Sequence, residues 1–262
     1  PSEFVKVAFV IAGTATLDRL LTTRNLTAFI GYSGVCVGAL FLMHDLGTAL
    51  IFFGAFLVIA FMRSGDVRMI ALICAAAALG AGLVITFKPY VAARFAVWGH
   101  VWQNVNGAGY QQARTMIAAA SGGLLGLGGG NGLLVHVAAS DTDLVFGTIC
   151  EEWGLIVAIF TVAIIPVWAC FAALSVGKCR SSFYAIAACG AAAIFVIQSM
   201  LNVFGSVDIL PLTGVTLPFV SNGGSAMIGA WGLLAFIKSA DERYRIDEVD
   251  ATEFPDETGW DE

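Results

Sequence analysis

Apolar runs of about 17 to 24 residues recur along this chain, the length a helix needs to cross roughly 30 Å of hydrocarbon. No other feature restricts the fold so severely. Hydrophobic residues make up 58% of the sequence and charged residues only 12%. An ordinary soluble domain carries about twice that charge. The mean hydropathy, +0.85, agrees. The class that fits is all-α and polytopic, a helical membrane protein. Seven spans are predicted, at roughly 4–18, 26–43, 46–62, 69–87, 152–175, 183–205 and 222–238.

The net charge of −6 is set by one end of the chain. Eight of the 19 acids follow Arg245, and without them 13 basic residues stand against 11 acidic ones. Residues 1–240 are therefore expected to form the membrane domain. Residues 241–262 are expected to be a disordered, solvated acidic tail. The six cysteines show no CxxC spacing and lie mostly in apolar runs, so they read as small buried hydrophobes. No secretory signal peptide is visible.

Lys and Arg sort the connections into two sets. Arg19 and Arg24, Arg63 and Arg68, Lys178 and Arg180, then Lys238, Arg243 and Arg245 occupy alternate connections. Positive charge marks the cytoplasmic side. The amino end, the His44-Asp45 corner, a large segment at about 88–150 and the loop 206–221 then face outward, with the carboxyl end in the cytoplasm.

Four carboxylates, Asp141, Asp143, Glu151 and Glu152, crowd into twelve residues of that outer segment, against an apolar run. Were DLVFGTICEEWGL helical throughout, Asp143 and Glu151 would project from neighbouring faces, ~12 Å apart along the axis. Partial burial would raise a carboxylate's pKa toward the range useful to a general base. The plainer reading is a solvated ring of acids at a helix entrance. GGLLGLGGGNG, from Gly122 to Gly132, fits neither a phosphate loop nor a dinucleotide fingerprint and reads as a tightly turned re-entrant segment.

LPLTGVTLPFVSNGGS, from Leu210 to Ser225, breaks any helix before the last span. Its freed N–H groups could hold an anion, or it is simply a terminating turn. Glu3 and Lys6 stand one turn apart at the start of the first span. Arg94 and Arg114, with Lys88 nearby, could serve an anionic ligand or pair with the acids. His44, His100 and His136 have no metal-ligand spacing, and Asp45 reads as a helix cap.

In this order, five segments resemble the SEDS family (shape, elongation, division and sporulation), the FtsW/RodA/SpoVE type of peptidoglycan glycosyltransferase. PSEFVK resembles its PSE-x-x-K, and HDLGTAL its PDLGTA. GYQQARTMIAAASGGLLGLGGGNG resembles its YQ…SGG segment, and DTDLVFGTICEEWGL its HTDFIF…EELG. LPLTGVTLPFVSNGGS resembles its LP-x-TG-x-x-LPF-x-SYGGS. There are departures too. Ala138, Ala139, Ser140 and Asp141 stand where the family has Pro-Glu-Ala-His, Asn222 replaces the tyrosine of SYGGS, and His44 replaces the proline of PDLGT.

The resemblance implies a ten-helix bundle of which this chain holds the part from the fourth helix onward, the first three being absent. It implies a multi-pass protein of the bacterial cytoplasmic membrane that polymerises lipid II into glycan strands on the outer face, in division or in shape and elongation. Asp143 would be the catalytic base, joined by Glu151. Glu3, Lys6, Arg94, Arg114, Ser221, Gly223, Gly224 and Ser225 would bind substrate. A divalent cation such as magnesium or manganese could help neutralise the departing pyrophosphate.

Expected partners are lipid II, the growing glycan chain, a single-span class B penicillin-binding protein and other division or elongation membrane proteins, with no nucleic acid. Two other readings use the same residues: a lipid-precursor flippase or transporter with the acids as a proton relay, and a non-catalytic scaffold that activates a partner synthase.

Overall fold

The computed structural model describes residues 2–18, 23–43, 45–87, 89–177, 179 and 181–241, and among these every regular element is helical. The helices are α1 (Ser2–Asp18), α2 (Thr23–Leu42), α3 (Leu46–Ser64), α4 (Val67–Phe87), α5 (Pro89–Val97), α6 (Tyr110–Gly122), α7 (Val145–Val176), α8 (Ser182–Ser206) and α9 (Gly224–Ser239). Arg19, His44, Lys88, Lys178, Arg180, Arg243, Arg245 and the acidic tail after Asp241 lie outside the described residues.

Among the described residues, α7 and α8 have the length and hydropathy to cross a bilayer. They do so differently. The most apolar window of α8 is 78% buried, whereas that of α7 is only 17% buried. An apolar helix left so bare requires a non-aqueous surrounding.

At the centre, α8 packs against α1, α3, α7 and α9. Its buried side carries Ala185, Ala187, Ala188, Gly190, Ala191 and Ala192. Small residues let helix backbones approach closely where hydrophobic driving force between helices is weak. The approach is tight at Gly190, where a Cβ would meet Ile59 of α3 at 3.0 Å. Around this seam Phe9, Phe29, Phe52, Phe56 and Phe195 fill the core, with Phe9 and Phe52 rings edge to face at 4.8 Å.

Asp45 caps α3 as expected, accepting from the Thr48 N–H at 3.0 Å. The large segment between α4 and α7 is more structured than the sequence suggests. It holds α5 and α6, and two short 3₁₀ turns at Val101–Gln103 and Leu134–His136. It also surrenders its last residues to α7, which begins at Val145 rather than near 152. Asp143 therefore lies in the turn before α7 and not on the helix, while Glu151 lies inside it. The shared-helix geometry expected for these two acids does not form.

Candidate active site

The turn that carries Asp143 starts with strain. Ala139 has φ 64°, a left-handed conformation disfavoured for a residue with a Cβ. Its carbonyl accepts from the N–H groups of Thr142, Asp143 and Leu144 at 3.0–3.3 Å, which closes the turn. The next constraint comes from outside. Asp141 O accepts from Asn222 N at 2.9 Å, Thr142 O from Ser221 Oγ at 2.6 Å, and Asp143 O from Asn202 Nδ2 at 2.9 Å. Three consecutive carbonyls are thus each held by a donor from α8 or from the loop before α9. A backbone held this way leaves the Asp143 side chain little freedom to wander.

That side chain lines a cavity of about 290 Å³ with Arg94, Val97, Gln111, Gln112, Leu212 and Gly214. Each wall is fixed by a polar tie. Arg94 Nη1 donates to the carbonyls of Leu212 and Thr213 at 3.3 and 3.4 Å. Gln111 donates to Ala138 O at 3.1 Å, and buried Gln112 to Gly205 O at 2.8 Å. Gly214 lies so close that a Cβ there would meet Asp143 Oδ2 at 3.1 Å. Burial pushes the Asp143 carboxyl above its ordinary pKa. The Thr142 hydrogen bond and the Arg94 charge oppose that rise, and the Asp141 charge adds to it.

Glu151 lies buried within α7. It is 3% exposed, and its two oxygens accept from the backbone N–H groups of Leu133 and Leu134 at 3.0 and 2.9 Å. It therefore anchors the end of the glycine-rich segment. The segment's middle is bound to α7 itself. At Gly154, with φ 84° and ψ 166°, the helix breaks. Leu127 N and Gly128 N donate to the carbonyls of Glu151 and Glu152 at 2.9 Å, and Leu155 N donates to Gly123 O at 2.9 Å. The re-entrant segment thus supplies the partners that the helix break frees, as burial away from water demands.

Lys6 is buried as well. It is 1% exposed, paired with Glu3 Oε1 at 2.8 Å and donating to Gln198 Oε1 of α8 at 2.9 Å. Its ammonium braces the bundle from inside. Ser221 is 4% exposed and accepts from Leu217 N while donating to Thr142 O. Gly223, Gly224 and Ser225 open α9 just beyond it. Arg114 stands apart from Arg94: its guanidinium lies 5.2 Å from the Tyr110 ring centre, beside a second cavity of about 300 Å³ that includes Glu151 and His136.

No group of three or more His, Cys, Asp or Glu that could hold a metal ion occurs among the described residues. The Asp141 carboxylate, nearest in sequence to Asp143, is engaged by Asn222 Nδ2 at 3.0 Å. The described side chains offer no donor set for a protein-held divalent cation.

Comparison with known proteins gives this arrangement its context. A family model for FtsW/RodA/SpoVE, described as cell cycle protein, matches residues 1–245. The chain belongs to the FtsW/RodA/SpoVE family. Peptidoglycan glycosyltransferase RodA of Mycobacterium tuberculosis strain H37Rv is 28% identical over 258 residues, covering 90% of this chain and 54% of that protein. Probable peptidoglycan glycosyltransferase FtsW of Tolumonas auensis is 30% identical over 259 residues, covering 94% and 67%. The chain spans about half the length of the RodA relatives it matches.

Among solved structures, a chain of a peptidoglycan synthase complex that coordinates polymerization and crosslinking aligns with a TM-score of 0.69. It is 22% identical and covers 94% of this chain and 70% of that one. Rod shape determining protein RodA of Thermus thermophilus, in a mutant form, aligns at 0.60 with 20% identity, covering 94% and 67%. Both are likenesses of fold.

Several residues of the site in this family member were not singled out from the sequence: Gln111, Gln112, Gln198, Asn202 and Gly214. Gln198 and Asn202 carried a usable signal. They are amides four residues apart, hence on one helix face, in an otherwise apolar span.

Proposed function

We propose that the protein is a peptidoglycan glycosyltransferase that polymerises lipid II into glycan strands, with Asp143 as general base. The observation that carries this reading is the Asp143 carboxylate, lining a polar cavity opposite Arg94, its main chain held at three successive carbonyls. The names of the relatives support the reaction class.

In the reaction, Asp143 accepts the proton of the acceptor sugar's 4-hydroxyl as that oxygen bonds to the anomeric carbon of the growing chain. The bond from that carbon to the lipid-linked pyrophosphate breaks, and the pyrophosphate leaves as an anion. A positioned base contributes ~10²–10⁴-fold to such a step. Arg94 stands where it can steady negative charge, and Arg114 at the neighbouring cavity is a second candidate for the lipid phosphate. Glu3, Lys6, Glu151 and Ser221 support the site from behind. Gly223, Gly224 and Ser225 offer the exposed helix start nearest Asn222.

The alternation of Lys and Arg between connections supports a multi-pass protein of the bacterial cytoplasmic membrane with this site at the outer face and the carboxyl end in the cytoplasm. A crosslinking partner, a class B penicillin-binding protein, is supported by the structural likeness to a chain of a synthase complex.

The deciding experiment is lipid II polymerisation by purified protein. Asp143→Asn and Asp143→Ala should each lose polymer while remaining folded. Wild-type polymer from a folded Asp143→Ala protein would remove the assignment.

A further inference from the structure

Asp141 and Asn222, far apart in sequence, are joined by a clasp. Asn222 donates twice to one residue, from its backbone N to Asp141 O at 2.9 Å and from Nδ2 to Asp141 Oδ2 at 3.0 Å. The two residues lie 81 positions apart. A doubled bond of this kind fixes both the position of the Asp141 backbone and the direction of its side chain. Asp141 is exposed, so without Asn222 its carboxylate would move freely in solvent. Two residues further on is Asp143.

We propose that Asp141 and Asn222 form a clasp that positions Asp143 in its cavity and holds a second negative charge at a set place beside it. The proposal rests on the glycosyltransferase reading for its catalytic consequence, though not for its structural one. The charged groups around Asp143 are few. Arg94 faces it from α5, Asp141 stands beside it in the same turn, and the α6 residues lining the cavity, Gln111 and Gln112, are neutral. On α8 the contact is the Asn202 amide, and on the loop before α9 it is Gly214. Asp141 is thus the anion and Arg94 the cation whose removal should be felt at Asp143, in opposite directions.

Asn222 and Asp141 act through Asp143 and are positioning residues. The test therefore reads Asp143 directly. Carbodiimide labels protonated carboxyls, and the pH dependence of Asp143 labelling, followed by peptide mass spectrometry, reports its proton affinity without requiring activity. Asp141→Asn keeps an acceptor for Asn222 but removes the charge; the labelling midpoint should fall by about half to one pH unit. Asn222→Ala frees the Asp141 side chain, and the midpoint should fall in the same direction.

In polymerisation, Asn222→Ala should lower kcat about tenfold with little change in KM, the signature of lost positioning. The double variant Asp141→Asn/Asn222→Asp, which rebuilds the side-chain bond in reverse, should recover most of that rate. Midpoints that stay within 0.1 or so of a pH unit in both single variants, with wild-type polymerisation by Asn222→Ala, would overturn the clasp. Shifted midpoints in a protein that makes no polymer would uphold the clasp and overturn the glycosyltransferase reading instead.

Discussion

Lys6 of α1 donates to Gln198 Oε1 of α8 at 2.9 Å, and Gln198 passes the contact on, donating from Nε2 to Thr216 O at 2.8 Å. One turn along α8, Asn202 donates to Val215 O at 2.7 Å and to Asp143 O at 2.9 Å. A buried cation near the amino end of α1 is thereby connected to the turn that carries the proposed base. The route runs through two amides and one loop. Each amide is oriented by its neighbours, since only one of its ends can donate.

Removing the cation should be felt twice. Lys6→Met leaves Glu3 and Gln198 without their shared donor inside the bundle. Breaking one partner of a buried pair costs about 3–5 kcal/mol, so the melting temperature in detergent should drop by several degrees. The double variant Lys6→Met/Glu3→Gln removes the stranded charge and should melt above Lys6→Met alone. If Lys6→Met melts with the parent, the ammonium contributes nothing to the bundle.

Gly126 and Gly154 face each other where the re-entrant segment enters the break in α7. Both have positive φ, 83° and 84°. A Cβ on Gly126 would collide with the Glu152 carbonyl, and one on Gly154 with the Leu124 carbonyl. Each is strained as alanine, at roughly 1–3 kcal/mol for the backbone alone. Gly126→Ala and Gly154→Ala should each detach the segment, which limited proteolysis between residues 123 and 133 would report as faster cleavage. Because both substitutions break one docking event, the double variant should be cleaved little faster than either single one.

Glu151 gives a prediction that separates support from chemistry. A carboxylate can accept from both Leu133 N and Leu134 N, whereas a glutamine presents an NH₂ to one of them. Leaving one buried N–H without an acceptor costs about 1–3 kcal/mol. Glu151→Gln should lower stability and rate together, while the acid limb of the pH–rate profile stays where the parent's lies. Loss of that limb in Glu151→Gln would make Glu151 the titrating base.

Much of this architecture is legible in the sequence because lipid imposes a simple rule on it. Long apolar runs favour helix, and the segments expected as spans coincide with the helices α1, α2, α3, α4, α7, α8 and α9 to within a few residues at most ends, of which α7 and α8 have the length and hydropathy to cross. The start of α7 is the exception. Glu151 and Glu152 break the apolar run, yet the backbone from Val145 is already helical, with Val145, Phe146 and Cys150 packed in the core.

The segment between α4 and α7 is less legible, since α5 and α6 are short and α6 mixes polar and small residues and lines both cavities. What spacing could not convey was the use of each acid. Asp143 and Glu151 are eight apart in sequence, and only the fold shows one carboxylate lining a cavity and the other bound to two amides. The pairing of Asp141 with Asn222 joins two positions that look like separate departures from a motif.

The last prediction concerns pH. Burial raises the Asp143 pKa, and the acid must be ionised to act as a base. Polymerisation should therefore rise as pH rises through a value above the ordinary ~3.9 of an aspartate. Arg94→Gln removes an attraction that favours the ionised form, so its acid limb should lie at higher pH than the parent's.

Stability should run the other way. A raised folded-state pKa means that the native state holds the proton more tightly than the unfolded chain. Its stabilisation is complete below the unfolded pKa and is lost as pH rises through the folded one. At pH 7 the ionised Asp143 is thus a burden on the fold. Asp143→Asn should abolish polymerisation and yet melt at or above the parent temperature at pH 7, with the difference closing as the pH is lowered. A variant that melts well below the parent at pH 7 would show that the carboxylate is held for stability, and would count against its role as base.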